Sequence, residues 1–331
     1  MLKHYSFQAQ LFALISITWI GFSCGMRQTI ENEPVNSEQQ SDEPSETTRA
    51  ELVMKALYMG YPQEITSVEF RNGDWAVLMH DIWYYYCDGR LLSEDTREEI
   101  ANYRTQIFYR YTNELPPFRV RPIPEPRTGN NSNNAAQQRV SLLRSSFMDD
   151  LWQARNRNEA YSNLRTVRFL DKSIRVHYKI VNIFAVIEER ILEEAGKDRS
   201  IQTWINSLAP PESWSWRNIA ASESRSFHSY GVAIDLRPRS VGRLQTYWLW
   251  TSQHRSDWFN VPYEERYHPP EAVIKIFETY GFAWGGKWQR FDTMHFEYRP
   301  EVLILNDMPP KLIQSITCLE DGFSFKTQTL I

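Results

Sequence analysis

The alternation of apolar and polar residues predicts β-hairpins in the first third of the chain. One alternating run ends at Asn72-Gly73, and an aromatic run from Trp75 to Tyr86 ends at Asp88-Gly89. Asn-Gly and Asp-Gly dipeptides favour the tight turns that join antiparallel strands. We therefore expect a turn at each dipeptide, with a strand on either side of it.

A spacing of three to four residues between apolar positions predicts helices elsewhere. The first helix covers Asp95 to Tyr111, where Asp95 and Glu98 have the spacing of a capping box. The second and clearest covers Tyr178 to Ala195 and is followed by Gly196, a natural helix end. Its apolar stripe consists of Ile180, Phe184, Ile187 and Ile191.

A third helix and two strands are predicted in the C-terminal half. The helix begins after Pro269-Pro270 and closes at Gly281. Apolar residues alternate with Ala and Asp from Val232 onward, and a second alternation runs from Met294 to Tyr298. Together these elements predict an α+β fold, with a small, mostly antiparallel sheet and helices packed on it.

The composition of the chain changes along its length. The apolar stretch from Leu11 to Phe22 is shorter than the roughly 20 residues needed to cross a bilayer, and it is typical of an export signal. The polar residues that follow favour a flexible tether. The predicted organisation is a signal peptide over 1–23, a tether over 24–50, an accessory α+β region over 51–114, a Pro- and Asn-rich linker over 115–139, a main domain over 140–310 and a tail over 311–331.

The cysteines and the charge restrict the environment and the partners. Cys24 follows a small residue at the end of the apolar stretch, as in a lipoprotein cleavage site, although ordinary signal cleavage nearby is the alternative. Cys87 and Cys318 are either joined by a disulfide or two buried thiols. With 37 Lys and Arg against 41 Asp and Glu and no long basic run, binding of nucleic acid is not expected. No obligate protein partner is evident.

The first stretch with candidate chemistry is Ser226-Phe227-His228, followed by Gly231 and Asp235. His228 and Asp235 are an odd number of positions apart, so a single uninterrupted strand would direct them to opposite faces. A turn at Gly231 removes this conflict, because glycine readily adopts positive φ. An imidazole and a carboxylate can then face the same point.

The second stretch runs from Trp284-Gly285-Gly286 to Asp292 and His295. On the predicted strand, His295 and Glu297 share a face, and Asp292 lies in the turn just before. Two histidines and one aspartate are a suitable ligand set for catalytic zinc, which keeps three protein ligands and a water. Residue types alone leave a purely structural role open, because His and Asp residues scatter through any exported protein.

The first stretch has the pattern Ser-x-His-x-x-Gly-x-Ala-x-Asp, and the second has Trp-Gly-Gly-x-Trp followed by Asp-x-x-His-Phe-Glu. The two stretches resemble the D-alanyl-D-alanine carboxypeptidase and L-alanyl-D-glutamate peptidase family. This family of zinc peptidases includes VanY-type carboxypeptidases and shares its core with hedgehog signalling domains. The resemblance covers roughly residues 165–305. It implies that the domain over 140–310 is a zinc peptidase with the hedgehog/DD-peptidase fold.

The resemblance also implies roles for individual residues. His228, Asp235 and His295 would bind zinc, and Asp292 would be the catalytic base. Ser226 and Trp284 would shape the substrate cleft. Arg217 is the candidate for the upstream arginine that holds substrate oxygens, and Lys287 replaces the usual acidic residue of the Trp-Gly-Gly motif.

The function expected from the resemblance is hydrolysis of peptidoglycan stem peptides in the cell envelope. Either a terminal D-alanine is removed or the L-alanyl-D-glutamate bond is cut. The expected setting is a lipoprotein facing the periplasm that meets the membrane only through its lipid. The alternative is a non-catalytic, zinc-containing lipoprotein that binds the cell wall.

Overall fold

The computed structural model describes residues 46–106, 108–114, 146–219 and 224–312. All of them belong to one compact unit that begins at Pro44. The predicted signal peptide, Cys24, the linker over 115–139, Cys318 and most of the tail lie outside the described residues, and Cys87 has no disulfide partner among them. None of the helices in the described ranges has both the length and the apolar character needed to cross a membrane.

The N-terminal part consists of one helix and a four-stranded antiparallel sheet. The elements are α1 (Glu46–Gly60), β1 (Ile65–Arg71), β2 (Asp74–Met79), β3 (Ile82–Cys87) and β4 (Arg90–Ser93). The strands pair in sequence order. Helix α1 begins inside the predicted tether, because Ala50 already packs in the apolar core.

Both predicted hairpin turns are confirmed. Asn72-Gly73 and Asp88-Gly89 have positive φ angles, as tight turns between antiparallel strands require. A third turn at His80-Asp81 divides the aromatic run into β2 and β3. The sequence analysis missed this turn because neither residue is a glycine, although both take positive φ.

The helix predicted from Asp95 to Tyr111 is wrong. Short 3-10 turns cover Glu94–Asn102 with a break at Glu99, and no helix follows in the described residues up to 114. Tyr103 and Tyr111 are nevertheless buried. Their burial comes from an extended segment that packs on distant parts of the chain, so tertiary contacts override the local pattern.

The middle of the described chain holds four helices and a two-stranded hairpin. In order they are α2 (Ser146–Leu151), α3 (Arg157–Ser162), β5 (Leu164–Phe169), β6 (Lys172–His177), α4 (Val181–Lys197) and α5 (Arg199–Ser207). The predicted helix from Tyr178 corresponds to a 3-10 turn followed by α4, and its apolar stripe is buried. Gly196 lies within α4 instead of ending it, and Asp198 caps α5 by accepting from the Ser200 N–H (2.8 Å).

The C-terminal part contains a three-stranded antiparallel sheet. Its strands are β7 (Ala233–Asp235), β8 (Phe282–Trp284) and β9 (His295–Tyr298), with β9 in the centre. Around them lie α6 (Trp248–Ser252), α7 (Glu271–Thr279) and α8 (Pro300–Leu305). The helix after Pro269-Pro270 and the strand ending at Tyr298 are confirmed, and the mixture of helices and small antiparallel sheets is the expected α+β class.

One apolar core joins the N-terminal and C-terminal parts. Residues of α1 and β2 belong to the same buried cluster as residues of α4, α7 and β9. Helix α1 packs against α8, where a Cβ on Gly60 would lie 3.0 Å from the backbone nitrogen of Glu301. The Tyr61 hydroxyl donates to the Glu301 carboxylate (2.7 Å) beside this contact. The predicted accessory region therefore shares its interior with the predicted peptidase domain.

Candidate metal centre

His228 is held by a short 3-10 turn (Phe227–Tyr230) that ends at Gly231. The Ser226 hydroxyl accepts from the His228 N–H at the start of this turn (3.3 Å). Gly231 has a φ of 73°, and a Cβ at this position would lie 2.5 Å from Leu164 and 3.0 Å from the backbone nitrogen of His177. The predicted turn at Gly231 is confirmed, and it directs the chain from His228 into β7.

Strand pairing brings the other two candidate ligands to the same place. Asp235 on β7 and His295 on β9 are direct partners in the antiparallel register. His228 Nε2 lies 3.2 Å from Asp235 Oδ1 and 3.1 Å from His295 Nδ1, and the last two atoms are 2.9 Å apart. All three residues are buried. The structure thus places the three predicted ligand residues around one point.

Each imidazole has an inner nitrogen, which faces the cluster, and an outer nitrogen, which faces away from it. In a neutral ring, the hydrogen bond of the outer nitrogen determines whether the inner nitrogen carries a proton. His228 Nδ1 lies 2.9 Å from the carbonyl oxygen of Ser213, and His295 Nε2 lies 3.3 Å from the carboxylate of Glu297. Since these oxygens only accept, each outer nitrogen carries the proton and donates it. When neither imidazole carries a second proton, the inner nitrogens present lone pairs to each other and to the Asp235 oxygen. Three converging acceptors are stabilised by a positive charge between them, which a metal ion or a proton on an inner nitrogen supplies.

The spacing of the three acceptors fits a zinc ion. Bonds of about 2.0–2.1 Å in tetrahedral geometry give ligand atoms roughly 3.3 Å apart, close to the observed 2.9–3.2 Å. Two imidazoles and one carboxylate are also a donor set that zinc accepts in catalytic sites. A hydrogen bond from the outer imidazole nitrogen to a carboxylate or carbonyl is the usual support for such ligands.

The charges around the cluster also favour a cation. Burial opposes ionisation of Asp235, but the neighbouring His228 and His295 outweigh it and lower the pKa of this carboxyl. Burial likewise lowers the pKa of His295, yet hydrogen bonding to Asp235 and Glu297 prevails and raises it to about 10. Two carboxylates thus stabilise positive charge at this position.

Asp292 lies beside the cluster, and one of its carboxylate oxygens has no hydrogen-bond partner within the described ranges. Its backbone carbonyl accepts from the His295 N–H (3.2 Å), which fixes the turn before β9. Its Oδ1 atom is buried and makes no hydrogen bond to the described residues. Burial, followed by the charge of Asp235, raises the pKa of Asp292 to about 7. A carboxyl in this environment can exchange a proton near neutral pH.

Arg217 lies at the exposed rim of the site. Its side chain is 41% exposed and pairs with Glu212 at 3.3 Å. Its backbone N–H donates to the Ser229 hydroxyl (2.9 Å), next to the turn that carries His228. The positive charge of Arg217 lowers the pKa of Asp292, in opposition to burial. Arg217 is therefore near enough to influence the predicted base while remaining accessible.

Ser226 and Trp284 have other positions than the sequence analysis expected. Ser226 is buried, and its hydroxyl caps the turn of His228. Trp284 is fully buried, and its indole N–H donates to the carbonyl of Thr293 (2.8 Å). Neither side chain lines an open surface, so the expectation that they shape a substrate cleft is corrected: both support the backbone that carries the ligands.

Lys287 is also withdrawn from solvent. Its ammonium group pairs with Glu278 at 2.5 Å, and both side chains are almost completely buried. The same ammonium lies 4.8 Å from the ring of Tyr111. The lysine at the position of the motif's usual acidic residue therefore forms an internal ion pair.

Tyr247 lies opposite Asp292, although no sequence motif pointed to it. It forms an isolated antiparallel bridge with Asp292, and directly opposite residues in such a bridge direct their side chains to the same face. Burial, followed by the charge of Asp292, raises the pKa of Tyr247. The ring of Trp250, which is 49% exposed, lies edge-on at 5.4 Å from the Tyr247 ring. No motif marks Tyr247, because tertiary pairing alone brings it to Asp292.

Two family models match separate parts of the chain. Residues 220–298, which contain His228, Asp235, Asp292 and His295, match a model described as D-alanyl-D-alanine carboxypeptidase. Residues 53–108 match a model described as a domain of unknown function.

A curated relative matches the chain over a similar length. It is the peptidoglycan L-alanyl-D-glutamate endopeptidase CwlK of Bacillus subtilis (strain 168), 32% identical over 88 residues. The match covers 24% of this chain and 43% of the relative, so the chain spans less than half the length of that protein. No solved structure matches the chain. Residues 220–298, which hold the three candidate ligands and Asp292, are therefore the part of the chain that is similar to D-alanyl-D-alanine carboxypeptidases.

Proposed function

We propose that this chain is a zinc-dependent peptidase that hydrolyses peptide bonds in the stem peptides of peptidoglycan. The observation that carries the proposal is the convergence of three potential ligand atoms, from His228, Asp235 and His295, beside a buried carboxylate oxygen of Asp292 that no described residue binds. We further propose that the sheet of β7, β9 and β8 has the hedgehog/DD-peptidase arrangement that the motifs imply.

The proposed roles follow from the chemistry of each group. A zinc ion held by the three ligands would lower the pKa of a water molecule to about 7 and so supply a nucleophile at neutral pH. Asp292 would accept a proton from the attacking water at Oδ1 and deliver it to the nitrogen of the leaving amine as the peptide bond breaks. Arg217, exposed at the rim, binds a carboxylate or carbonyl oxygen of the substrate.

Tyr247 completes the proposed substrate side of the site. Its ring shares a face with Asp292, and its hydroxyl is within the electrostatic influence of Arg217 and Asp235. We assign this hydroxyl to a hydrogen bond with a polar group of the stem peptide. The exposed ring of Trp250 extends the aromatic wall next to it.

The decisive experiment is digestion of purified muropeptides by the full chain, read out by mass spectrometry with and without a chelator. We expect cleavage that the chelator abolishes and added zinc restores. Asp292→Asn should bind zinc like the wild type but lose turnover by roughly 10²–10⁴-fold, the usual contribution of a positioned acid or base. Intact muropeptides with zinc-loaded wild type would contradict the peptidase proposal and favour the non-catalytic binder.

The same spectra identify the bond. Loss of one terminal alanine indicates carboxypeptidase action, whereas separation between the first alanine and glutamate indicates endopeptidase action. The name of the curated relative favours the second product, and the description of the family model favours the first.

We also propose that the protein is exported and anchored in the cell envelope by lipid on Cys24, facing the periplasm, where stem peptides are accessible. Labelling of cells with a palmitate analogue tests this anchor. The wild type should incorporate the label, and Cys24→Ala should not. Label that persists in the variant would contradict lipidation at Cys24.

A further inference from the structure

Glu297, the outer partner of His295, is itself held by a residue from the N-terminal part of the chain. The Tyr109 hydroxyl donates to Glu297 Oε1 at 3.0 Å. Arg299 also donates to Oε1 (3.3 Å), while His295 Nε2 donates to the other oxygen, Oε2, at 3.3 Å. Two donors on one oxygen fix the plane of the carboxylate, which leaves Oε2 directed at His295.

Tyr109 also reaches His295 through aromatic packing. Its ring lies 5.7 Å from that of Trp288 in an edge-on arrangement, and the Trp288 ring lies 5.4 Å from the imidazole of His295. The tyrosine thus contacts both neighbours that limit rotation of the His295 ring. One neighbour acts by a hydrogen bond and the other by packing.

The segment that carries Tyr109 is fixed on the C-terminal part of the fold. Asn306 donates to the Tyr109 carbonyl (3.2 Å) and accepts from the Tyr111 N–H (2.8 Å). The Tyr111 hydroxyl in turn accepts from the backbone N–H of Trp284 (2.8 Å), at the end of β8. These bonds hold the extended segment against β8 and the residue that follows α8, and so fix the backbone from which the Tyr109 side chain projects.

The Tyr109 hydroxyl is a donor to a buried charge. Burial, followed by the charge of Glu297, raises the pKa of Tyr109 well above its ordinary value, so the hydroxyl keeps its proton. Glu297 is 6% exposed, and water therefore has little access to replace a lost donor. Without the hydroxyl, Arg299 alone would orient Oε1, and Arg299 is also bound to Glu301.

We propose that Tyr109 is a positioning residue of the metal centre: it orients Glu297 and thereby His295, so that the N-terminal part of the chain completes a site whose ligands all lie within residues 220–298. This inference rests on the proposed zinc site. Tyr109 directly follows the segment that matches a domain of unknown function, residues 53–108. One role of that region is then to deliver this hydroxyl to β9.

The test compares Tyr109→Phe with Tyr61→Phe in the full chain. Both changes remove one hydroxyl that donates to a buried glutamate, but the partner of Tyr61 is Glu301, which makes no hydrogen bond to a candidate zinc ligand among the described residues. Zinc affinity is measured by competition with a chromophoric chelator, at a temperature where circular dichroism shows every variant folded. Since loss of an outer partner costs about 10–100-fold in metal affinity, we expect Tyr109→Phe, one bond further out, to weaken zinc binding by about tenfold. Tyr61→Phe should stay within about twofold of the wild type.

A double-mutant cycle with Glu297→Gln shows whether Tyr109 acts through Glu297. In the Glu297→Gln background, Tyr109→Phe should have little further effect on zinc affinity, because coupled residues are not additive. Equal zinc affinity of Tyr109→Phe and Tyr61→Phe, or additive losses in the cycle, would overturn the positioning role while leaving the zinc site intact. A wild-type chain that binds no zinc would overturn both proposals.

A second measurement needs no substitution that could unfold the protein. In wild-type chain labelled with carbon-13 at the tyrosine ring carbon that bears the hydroxyl, zinc binding should shift the Tyr109 resonance more than that of Tyr61. Equal shifts at the two tyrosines would contradict the connection from Tyr109 through Glu297 to His295.

Discussion

His228 Nε2 and His295 Nδ1 lie 3.1 Å apart, although 67 positions separate the two residues in the chain. In the neutral imidazoles each of these nitrogens directs its lone pair inward, because the opposite nitrogen of each ring donates to Ser213 or Glu297. Two lone pairs at this distance repel unless a metal ion or a proton lies between them. The predictions below follow from this arrangement and from the elements that impose it.

Substitution of a ligand should abolish zinc binding. We expect His228→Ala to lower zinc affinity by more than the roughly 10–100-fold that loss of an outer partner costs. The exposed His254 supplies the control, because His254→Ala removes an imidazole from a loop without altering the cluster. Isothermal titration of both variants with zinc checks the difference. Equal zinc affinity in the two variants would contradict the assignment of His228 as a ligand.

Gly231→Ala should destabilise the fold and weaken zinc binding together. The positive φ costs a residue with a Cβ roughly 1–2 kcal/mol, and the added Cβ would also lie 2.5 Å from Leu164 and 3.0 Å from the backbone of His177. The control is Gly73→Ala, where φ is 87° and no atom lies within 4 Å.

Urea unfolding and zinc titration measure both effects of the glycine substitutions. Gly73→Ala should lose only the stability that the positive φ costs a residue with a Cβ, and it should keep the zinc affinity of the wild type. The turn at Gly231 would have no special part in placing His228 if both glycine variants lost stability equally and bound zinc equally well.

Tyr247→Phe should lower kcat/KM on muropeptides by about tenfold, the value of one hydrogen bond of ~1.4 kcal/mol. Zinc affinity should not change, since within the described residues Tyr247 makes no hydrogen bond to His228, Asp235 or His295. Tyr58→Phe is the control, because Tyr58 is 39% exposed on α1. Steady-state kinetics of both variants provide the measurement, and unchanged kcat/KM in Tyr247→Phe would remove this residue from the substrate side.

The buried His177 should make stability depend on pH. Burial, followed by the charge of Lys179, lowers the pKa of His177 from about 6.5 to about 3. Between these values the unfolded chain binds a proton that the folded chain does not. Stability therefore falls as the pH falls from about 6.5 towards 3, by up to ~1.4 kcal/mol per pH unit from this group.

The variant His177→Gln isolates this contribution. The glutamine amide can replace the donor of His177 to the Trp152 carbonyl (3.0 Å), and it does not titrate. The free energy of unfolding in urea is measured from pH 4 to 7 with a chelator present, so that both proteins are free of metal. The wild type should lose stability more steeply on acidification, and parallel curves would contradict the depressed pKa.

The sequence patterns that predicted the structure correctly depend on residues that are close together in the chain. The turns at Asn72-Gly73 and Gly231 follow from the conformational freedom of glycine, and the apolar stripe of α4 follows from the helical period. The alternation around His295 likewise predicted that His295 and Glu297 share a face, and their side chains are 3.3 Å apart. Each of these features depends on residues close together in the chain.

The sequence patterns that predicted the structure wrongly involve residues whose contacts lie far away in the chain. The spacing from Asp95 to Tyr111 favoured a helix, yet Tyr109 and Tyr111 bind Glu297 and Glu278 from an extended segment. Trp284 belongs to a motif that suggested a cleft, but the strand β8 lies in the core and buries it completely. A hydrogen bond or a buried contact with a residue far along the chain outweighs a weak local preference.

By itself, the sequence determined the turn that separates His228 from β7 and the α+β class, since each depends on residue type and short-range spacing. It pointed to the candidate ligands through the resemblance of its motifs to a known family. Only the tertiary structure decided that Tyr247 stands opposite Asp292 and that Tyr109 reaches Glu297. These pairings arise when the two parts of the chain bury one common apolar core, and no short stretch of sequence records which distant groups such packing brings together.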